Sequence, residues 1–280
     1  MRVGLVGASG FIGRHLRTAL TDRGDEVVVA SLRNPVAAAE TVRRCDAVVN
    51  LAGEPIAQRW TAAAKDRLRT SRVNATRALL DGLAREERRP STYISASAVG
   101  YYPASDSETY TEDSPPGHDF LAELCVAWER EAQRAGELGM RVAIVRTGVV
   151  LGSDGGALAA MLPAFRLGLG GVVGSGKQWI SWVHINDITG IYCMVLDGVS
   201  GIFNGTAPHP VTNAQFTQAL GAALHRPAVL AVPSFALRLA LGESAGILLG
   251  GARVLPAHTL ESGYMFRFTT VEDALQNLLP

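Results

Sequence analysis

The chain begins with the stretch Met1-Arg2-Val3-Gly4-Leu5-Val6-Gly7-Ala8-Ser9-Gly10-Phe11-Ile12-Gly13, an apolar run joined to a Gly-x-x-Gly-x-x-Gly turn. A helical pattern follows from Arg14 to Arg23. Strand, glycine-rich turn and helix in this order are the context that a dinucleotide-binding fingerprint requires. The three glycines of such a turn permit the tight bend, the approach of backbone amides to a pyrophosphate, and close packing of the helix on the sheet. The sequence therefore predicts a nucleotide-binding turn rather than an ordinary strand-to-helix turn, with cofactor contacts from Gly7, Ser9, Gly10, Phe11, Ile12 and Gly13.

The second predicted strand, Val27 to Ser31, ends without an acidic residue. In sites for NAD an Asp or Glu usually stands here and holds the ribose 2′-hydroxyl, whereas a 2′-phosphate is bound by a nearby Arg. The chain continues Ser31-Leu32-Arg33-Asn34-Pro35, with one guanidinium and no carboxylate. We therefore predict that Arg33, with Ser31 beside it, binds a 2′-phosphate and that the cofactor is NADP(H). The alternative is a solvated arginine in a loop.

Strand and helix patterns alternate along the first half of the chain, which implies a parallel sheet covered on both faces. The predicted fold is α/β, a Rossmann-like doubly wound parallel sheet. Only about a dozen residues separate Arg33 from the next strand, so a strand that usually stands between them is expected to be missing. Ligands of such sheets bind beyond the carboxyl ends of the strands. The predicted strands are 46–51, 93–97 and 141–145, and the predicted helices are 36–44, 61–85 and 119–138, the last one capped by Asp119.

The chain after residue 150 is less regular, and we predict two regions. Residues 1–150 are expected to form an NADP-binding Rossmann-like domain, and residues 151–280 a smaller C-terminal α+β substrate-binding region that is partly interleaved with the first. Residues 168–176 contain five glycines. Such a segment is too flexible for a core and is predicted to form a mobile lid.

A strand-like pattern over residues 178–185 places Trp182 and His184 on the same face. That face either lines a pocket or holds a buried structural pair. Two helices are predicted after it, one capped by Asn186-Asp187 and one by Asn213, because Asn and Asp are favoured at helix N-caps.

The composition is that of a globular protein, with 48% hydrophobic residues, 19% charged residues and a formal net charge of zero. A neutral chain argues against a nucleic-acid partner or an acidic membrane surface, which would need a basic face. Cys45, Cys125 and Cys193 have neither the spacing of a zinc site nor that of a disulfide framework. Because we see neither a leader segment nor an apolar stretch long enough to span a bilayer, a cytoplasmic location is expected. A homodimer is an open expectation.

Several runs resemble those of the extended short-chain dehydrogenase/reductases, the group that holds nucleotide-sugar epimerases. More narrowly, the chain resembles an atypical branch, the epimerase-like family of SDR39U1 and YfcH-type proteins. The runs are the opening glycine motif, Asn50-Leu51-Ala52-Gly53-Glu54-Pro55-Ile56, Ser95-Ala96-Ser97-Ala98-Val99-Gly100-Tyr101-Tyr102, Phe165-Arg166-Leu167-Gly168-Leu169-Gly170-Gly171, Trp182-Val183-His184-Ile185-Asn186-Asp187, Val211-Thr212-Asn213-Ala214 and Arg253-Val254-Leu255-Pro256. The resemblance implies a Rossmann-like NADP-binding domain followed by a smaller substrate domain for a small molecule. It implies no particular reaction.

The chain departs from the catalytic pattern of that superfamily, in which a Tyr-x-x-x-Lys pair on a helix supplies the general acid and a lysine that holds the ribose. The only lysines, Lys65 and Lys177, have Thr61 and Val173 four residues before them, so the pair is absent. Alignment on Trp128-Glu129 places Leu121 where the Tyr would be and Cys125 where the Lys would be. Leu cannot transfer a proton, whereas Cys can, so Cys125 is a candidate catalytic residue, although a neutral thiol far from positive charge is a poor substitute for a lysine.

Other family positions are retained or exchanged. Ser97 matches the helper serine at the end of its strand, and Arg72 stands where the superfamily has a helical Asn, within reach of the cofactor phosphates. The small residues Leu51, Ala52 and Gly53 suit a strand end that runs beneath a flat cofactor.

The missing tyrosine leaves the identity of the general acid open. Tyr101 and Tyr102 follow Ser97 by one short turn, and our hypothesis is that one of them protonates a carbonyl to which Ser97 donates a hydrogen bond. The alternative for both is aromatic packing. The sequence is thus compatible with an NADP-dependent oxidoreductase or epimerase-like enzyme that acts on a small carbonyl, alcohol or sugar-type substrate. It is also compatible with a non-catalytic, NADP(H)-bound sensor or regulatory protein.

Overall fold

The computed structural model describes residues 1–279. In chain order, the strands of this part are β1 (Arg2–Val6), β2 (Glu26–Ala30), β3 (Ala47–Asn50), β4 (Thr92–Ala98), β5 (Thr109–Tyr110), β6 (Arg141–Thr147), β7 (Val149–Gly152), β8 (Gly171–Val173), β9 (Trp179–Ile180), β10 (Trp182–His184), β11 (Gly201–Gly205), β12 (Val211–Thr212), β13 (Leu230–Val232) and β14 (Arg253–Val254). The α-helices are α1 (Phe11–Asp22), α2 (Pro35–Val42), α3 (Ala62–Arg69), α4 (Ala75–Ala84), α5 (Phe120–Glu137), α6 (Gly156–Arg166), α7 (Ile185–Leu196), α8 (Asn213–Ala223), α9 (Ser234–Leu241), α10 (Gly246–Leu249), α11 (Ala257–Glu261) and α12 (Val271–Leu278). No helix of this part is both long and apolar enough to cross a membrane.

Six parallel strands form the central sheet in the order β11-β6-β4-β3-β1-β2. The predicted α/β, Rossmann-like fold is confirmed. β2 is the edge strand and β3 pairs directly with β1, so the strand that was expected to be missing, which usually lies beyond β2, is absent from this sheet. The register brings the carboxyl ends of β1, β2 and β3 together, since Val6 lies opposite both Ala30 and Asn50. The glycine-rich turn, the Ser31–Arg33 segment and the Leu51–Gly53 segment each follow one of these three strands, whereas Arg72 lies in the helical segment beyond the third.

Apolar side chains cover both faces of the sheet. On one face, Leu16 of α1 and Ile188 of α7 pack with Leu5 of β1. On the other face, Leu79 of α4 and Ala132 of α5 pack with residues of the central strands. Two elements that follow residue 150 take part in this layer, because β11 is a strand of the sheet and α7 packs on one of its faces. Part of the chain after residue 150 therefore contributes to the sheet layer, while the division into an NADP-binding domain and a substrate-binding region stays a prediction.

A second apolar cluster forms beside the sheet from the short strands and helices of the second half. Leu158 and Phe165 of α6, Phe216 of α8 and Leu275 of α12 pack around Trp182, which is fully buried. The predicted strand that carries Trp182 is shorter than expected, since β10 ends at His184. His184 is 1% exposed, so this pair belongs to the protein interior.

Two predicted helix caps are wrong, one by a single residue and the other by two to three residues. His184 is the N-cap of α7, and its Nδ1 atom accepts a hydrogen bond from the Asn186 amide at 3.0 Å. Thr212, in place of Asn213, caps α8 through a reciprocal capping box with Gln215. The side chain of Asn213 is engaged elsewhere, because its Oδ1 accepts a hydrogen bond from the Val173 amide at 2.9 Å.

The predicted glycine-rich lid is also wrong in its central part, because residues Gly171–Val173 form β8 and pair with β13. Gly171 is buried, and a Cβ there would overlap the carbonyl oxygen of Leu230. The glycines therefore permit close contact between two strands rather than an open, mobile segment.

Candidate cofactor and active site

The glycine-rich turn has no room for side chains at two of its three glycines. Gly7 has a φ of +87°, and a Cβ there would lie 2.9 Å from the carbonyl carbon of Leu51. A Cβ at Gly13 would overlap the carbonyl oxygen of Gly7. The Gly10 amide closes the turn by donating to that same carbonyl at 3.0 Å. α1 begins at Phe11, and no side chain caps it, so its first amides stay free at the positive end of the helix dipole. This cradle fits the pyrophosphate of a dinucleotide.

The strand end that faces this turn is held by a buried asparagine. Asn50 donates from Nδ2 to the hydroxyls of Thr76 and Tyr93, at 3.1 and 2.9 Å, and its Oδ1 accepts from the Ala52 amide at 3.1 Å. These bonds fix the path of Leu51 to Gly53 beside Gly7. The sequence predicted the path but not the role of Asn50, because its partners come from two distant elements.

Arg33 lies just beyond β2, where it was expected. Its side chain is exposed and has no acidic partner among residues 1–279, and its backbone amide donates to Ser31 Oγ at 3.3 Å. Asn34 caps α2 by accepting from the Ala37 amide at 3.2 Å. The guanidinium is therefore available to an anion at the edge of the cradle.

A second loop, which the sequence did not predict, covers the ring of Phe11. Added Cβ atoms at Gly152, Gly155 and Gly156 would all come within 3 Å of this ring, so the three glycines let the loop approach it closely. Asp154 of the same loop contacts His15 Nε2 at 3.0 Å and accepts a long hydrogen bond of 3.4 Å from Arg14. The beginning of α1 is thus joined to the chain that follows β7.

Arg72 lies in a π-helical turn, Thr70–Asn74, between α3 and α4. Its Nη2 donates to the carbonyl oxygen of Glu54 at 2.9 Å, and its guanidinium carbon is 5.4 Å from the centre of the Trp128 ring. Burial lowers the pKa of Arg72. A Cβ added to Gly53 would lie 2.9 Å from the guanidinium carbon. Arg72 therefore packs against the peptide that follows β3, and no hydrogen bond within residues 1–279 joins it to the glycine-rich turn.

Ser97 stands at the end of β4, but its hydroxyl proton is already engaged. Ser97 is 3% exposed, and its Oγ donates to Glu129 Oε1 at 2.6 Å. Glu129 is held by Arg146, whose Nε and Nη2 bind the two carboxylate oxygens at 2.9 Å each. Donation from Ser97 to a substrate carbonyl would require this proton to leave Glu129, and that role stays a prediction. The free lone pairs of its oxygen can still accept a hydrogen bond.

The buried guanidinium of Arg146 organises the residues around it. It is 2% exposed, and its Nη1 donates to the Tyr102 hydroxyl at 2.9 Å. Tyr102 in turn donates to Asn204 Oδ1 at 2.8 Å. Hydrogen bonds to the Glu129 carboxylate and its negative charge raise the pKa of Arg146 despite the burial. The sequence did not identify this network, because its members come from β4, α5, β6 and β11 and meet only in the folded chain.

The two candidate tyrosines occupy different environments. Tyr102 is 3% exposed, and burial raises its pKa to about 12. Tyr101 is half-buried, and its hydroxyl has no hydrogen-bond partner within the described residues. Its ring lies on the guanidinium of Arg146, with 3.4 Å between the ring centre and the guanidinium carbon. Of the two hydroxyls, only that of Tyr101 is without a hydrogen-bond partner among residues 1–279, since the Tyr102 hydroxyl binds both Asn204 and Arg146.

Cys125 and Leu121 give no acid or base in place of the missing Tyr and Lys. Cys125 is 4% exposed, and burial raises its pKa to about 12, so the thiol stays protonated at neutral pH. Its Sγ lies 3.8 Å from the Ala98 carbonyl oxygen. The candidate catalytic role of Cys125 is therefore corrected to that of a buried, neutral side chain. Leu121 packs against Gly100.

The fold and the cradle together define a Rossmann-type dinucleotide-binding protein. Residues 3–206 match the NAD-dependent epimerase/dehydratase family, and residues 232–278 match a domain of unknown function, DUF1731. The epimerase family protein SDR39U1 of Mus musculus is 42% identical over 294 residues, which cover 100% of each chain. The chain therefore belongs to the NAD-dependent epimerase/dehydratase family, within which it is similar to the SDR39U1 proteins.

Two solved structures extend this comparison. The crystal structure of human SDR39U1 with NADPH has a TM-score of 0.94 and 38% identity, covering 100% of this chain and 99% of that one. A structure described as the nucleoside-diphosphate sugar epimerase of Corynebacterium glutamicum has a TM-score of 0.82 and 33% identity, covering 100% of this chain and 58% of that one.

Proposed function

We propose that this protein binds NADP(H) and acts as an oxidoreductase or epimerase-like enzyme on a small carbonyl, alcohol or sugar-type substrate. The observation that carries the cofactor assignment is the cradle of Gly7, Gly10 and Gly13, with Arg33 exposed at its edge and paired with no acidic side chain of the described chain, residues 1–279. The similarity to the human protein, whose structure contains NADPH, supports the same assignment.

In this proposal, three segments of the chain bind different parts of the cofactor. Backbone amides of Ser9, Gly10, Phe11, Ile12 and Gly13 surround the pyrophosphate position, Ser31 and Arg33 bind the 2′-phosphate, and Leu51, Ala52 and Gly53 lie beneath the rest of the cofactor. The reduced cofactor, when bound, supplies a hydride to a carbonyl carbon.

The chain itself supplies the proton in this proposal. Tyr101 donates it to the carbonyl oxygen, because its hydroxyl is unpartnered and its ring is held on the fixed cation Arg146. Ser97, whose own proton goes to Glu129, accepts a hydrogen bond from a substrate hydroxyl. A site that needs both a proton donor and an acceptor suits a polyhydroxyl substrate. The description of the Corynebacterium glutamicum protein as a nucleoside-diphosphate sugar epimerase favours the same class.

The test is the oxidation of bound NADPH, followed by absorbance, with a panel of aldehydes, quinones and nucleotide-sugars. We expect turnover with at least one class, and a loss of roughly 10²-fold or more in kcat for Tyr101→Phe. Tyr110→Phe, which removes a nearby phenol but keeps its ring, is the matched control and should behave as the unmodified protein. Unchanged turnover in Tyr101→Phe would show that another group donates the proton.

A second function is supported by the loss of the Tyr-x-x-x-Lys pair and by the high pKa of Cys125. In this alternative the protein is an NADP(H)-bound sensor or regulatory protein without turnover. Tight binding of NADPH together with no oxidation by any substrate of the panel would favour it.

The remaining expectations are part of the same proposal. The substrate region is placed after residue 150, the protein is expected in the cytoplasm, and a homodimer is expected in solution. Sedimentation equilibrium measures the last of these directly.

A further inference from the structure

Within residues 1–279, the guanidinium of Arg72 has no carboxylate partner. Glu54 contacts Arg72 only through its backbone carbonyl oxygen. Its carboxylate pairs instead with Arg67, at 3.0 Å. Within residues 1–279, the Nη1 atom of Arg72 finds only the Leu68 carbonyl at 3.4 Å and Ser71 Oγ at 3.5 Å. The Nε–H group has no acceptor in that part of the chain. A half-buried cation therefore keeps hydrogen-bond donors that the protein does not use.

The order of the strands places these donors relative to the cradle. Arg33 follows β2, the glycine-rich turn follows β1, Gly53 follows β3 and Ser97 ends β4, and these four strands are consecutive neighbours in the sheet. A dinucleotide with its 2′-phosphate at Arg33 and its pyrophosphate at the turn must extend toward β3 and β4 with its second half. Arg72 packs on Gly53 and faces Trp128 of α5. Arg72 therefore lies on the side where the nicotinamide half of the dinucleotide must extend, away from the adenosine half.

The backbone around Arg72 is built irregularly. The π-helical turn Thr70–Asn74 interrupts what the sequence predicted as one regular helix. Such turns are rare and cluster at functional sites, because they re-aim a side chain at the cost of regular hydrogen bonds. Here the turn directs Arg72 toward Gly53 and toward the ring of Trp128 on α5.

We infer that Arg72 donates hydrogen bonds to the hydroxyls of the ribose that carries the nicotinamide, and thereby positions this half of the cofactor. The inference rests on the proposed binding of NADP(H) but not on turnover. It replaces the expectation that Arg72 contacts the phosphates. The unused donors, the contact with Gly53 and the strand order all point to the same part of the cofactor.

The experiment compares two fragments of the cofactor by calorimetry. 2′-Phosphoadenosine 5′-diphosphate has the three phosphates but lacks the second ribose, whereas 2′-phosphoadenosine 5′-diphosphoribose has both. In the unmodified protein the second fragment should bind more tightly. In Arg72→Ala that advantage should fall by roughly tenfold or more, as expected for hydrogen bonds from a charged donor, while binding of the first fragment stays unchanged.

Controls separate this role from folding and from the proposed function. Arg69→Ala removes an exposed guanidinium from the same helical segment and should change neither affinity. Arg72→Gln keeps a hydrogen-bond donor for the Glu54 carbonyl, and it replaces Arg72→Ala in the same comparison if the alanine variant unfolds. An equal loss for both fragments would assign Arg72 to the phosphates, and no loss for either would leave it a packing residue; both results overturn the inference. Failure of the unmodified protein to bind either fragment would refute the proposed cofactor itself.

Discussion

The imidazole of His184 shows how strongly the interior of this protein controls a single residue. It is 1% exposed and is stacked on Phe268, with 3.9 Å between the ring centres. Its Nδ1 accepts a backbone hydrogen bond, so the neutral tautomer carries its proton on Nε2, an atom without a partner within residues 1–279. Burial lowers the pKa of His184 from an ordinary 6.5 to about 4. The folded protein therefore holds this side chain neutral where an exposed imidazole would be charged.

His184 makes the free energy of unfolding depend on pH. Because the folded pKa lies below the unfolded one, the unfolded chain takes up a proton first as the pH falls from 6.5 to 4. The stabilisation is complete above pH 6.5, and about 3 kcal/mol of it is lost across this window.

His184→Asn, which keeps a side chain suited to an N-cap, should lack this part of the pH dependence. Urea unfolding of both proteins between pH 4 and pH 8 measures it. Parallel curves for the two proteins would contradict the assignment.

At the scale of elements, the glycine-rich strand β8 is the clearest departure from what local pattern predicts. Glycine content alone indicates flexibility, but at Gly171 it reflects the absence of space beside Leu230. Gly171→Ala should therefore separate β8 from β13 and lower the melting temperature, with loss of amide protection in residues 171–173 measured by hydrogen exchange. Gly246→Ala is the matched control, because an added Cβ there meets no atom within 4 Å. If Gly171→Ala leaves both measurements unchanged, the prediction that residues 168–176 form a mobile lid would stand again.

Elements defined by contiguous residues could be predicted from the sequence. α5 begins directly after Asp119, whose carboxylate accepts a hydrogen bond from the Ala122 amide at 2.9 Å, and β1 with its glycine turn follows the expected order. The cap of α7 could not be predicted, because histidine is not among the residue types preferred at N-caps. His184 caps this helix through a ring nitrogen.

The network of Ser97, Glu129 and Arg146 could not be predicted from the sequence for a different reason. Ser97 and Arg146 lie opposite each other in neighbouring strands, and Glu129 reaches them from α5. Sequence periodicity shows which face a side chain occupies, but it does not show which distant residues share that face. The hydrogen bond from Ser97 to Glu129 depends on this information, so the sequence alone could not predict it.

Across the whole molecule, the binding groups follow the order of the strands rather than the order of the chain. From β2 to β4 the sheet presents Arg33, the glycine-rich turn, Gly53 and Ser97 along one edge. Only a ligand that extends across all four strands can use them together. A dinucleotide matches this layout, with its adenosine end at β2 and its reactive end near β4.

The same layout predicts that the choice between NADPH and NADH is made only at the end of β2, where Arg33 lies. NADPH and NADH differ only in the 2′-phosphate, so the glycine-rich turn should bind both and Arg33 should distinguish them. We expect NADPH to raise the melting temperature more than NADH at equal concentration, because each tenfold difference in Kd adds about 1.4 kcal/mol of stabilisation by the bound form. Arg33→Ala should reduce this difference by lowering the affinity for NADPH roughly tenfold, while the effect of NADH stays the same. Arg44→Ala, which removes an exposed guanidinium just after α2, should leave both shifts unchanged. Equal stabilisation of the unmodified protein by the two cofactors would mean that Arg33 is only a solvated residue of the loop and that the preference for NADP(H) has no basis at β2.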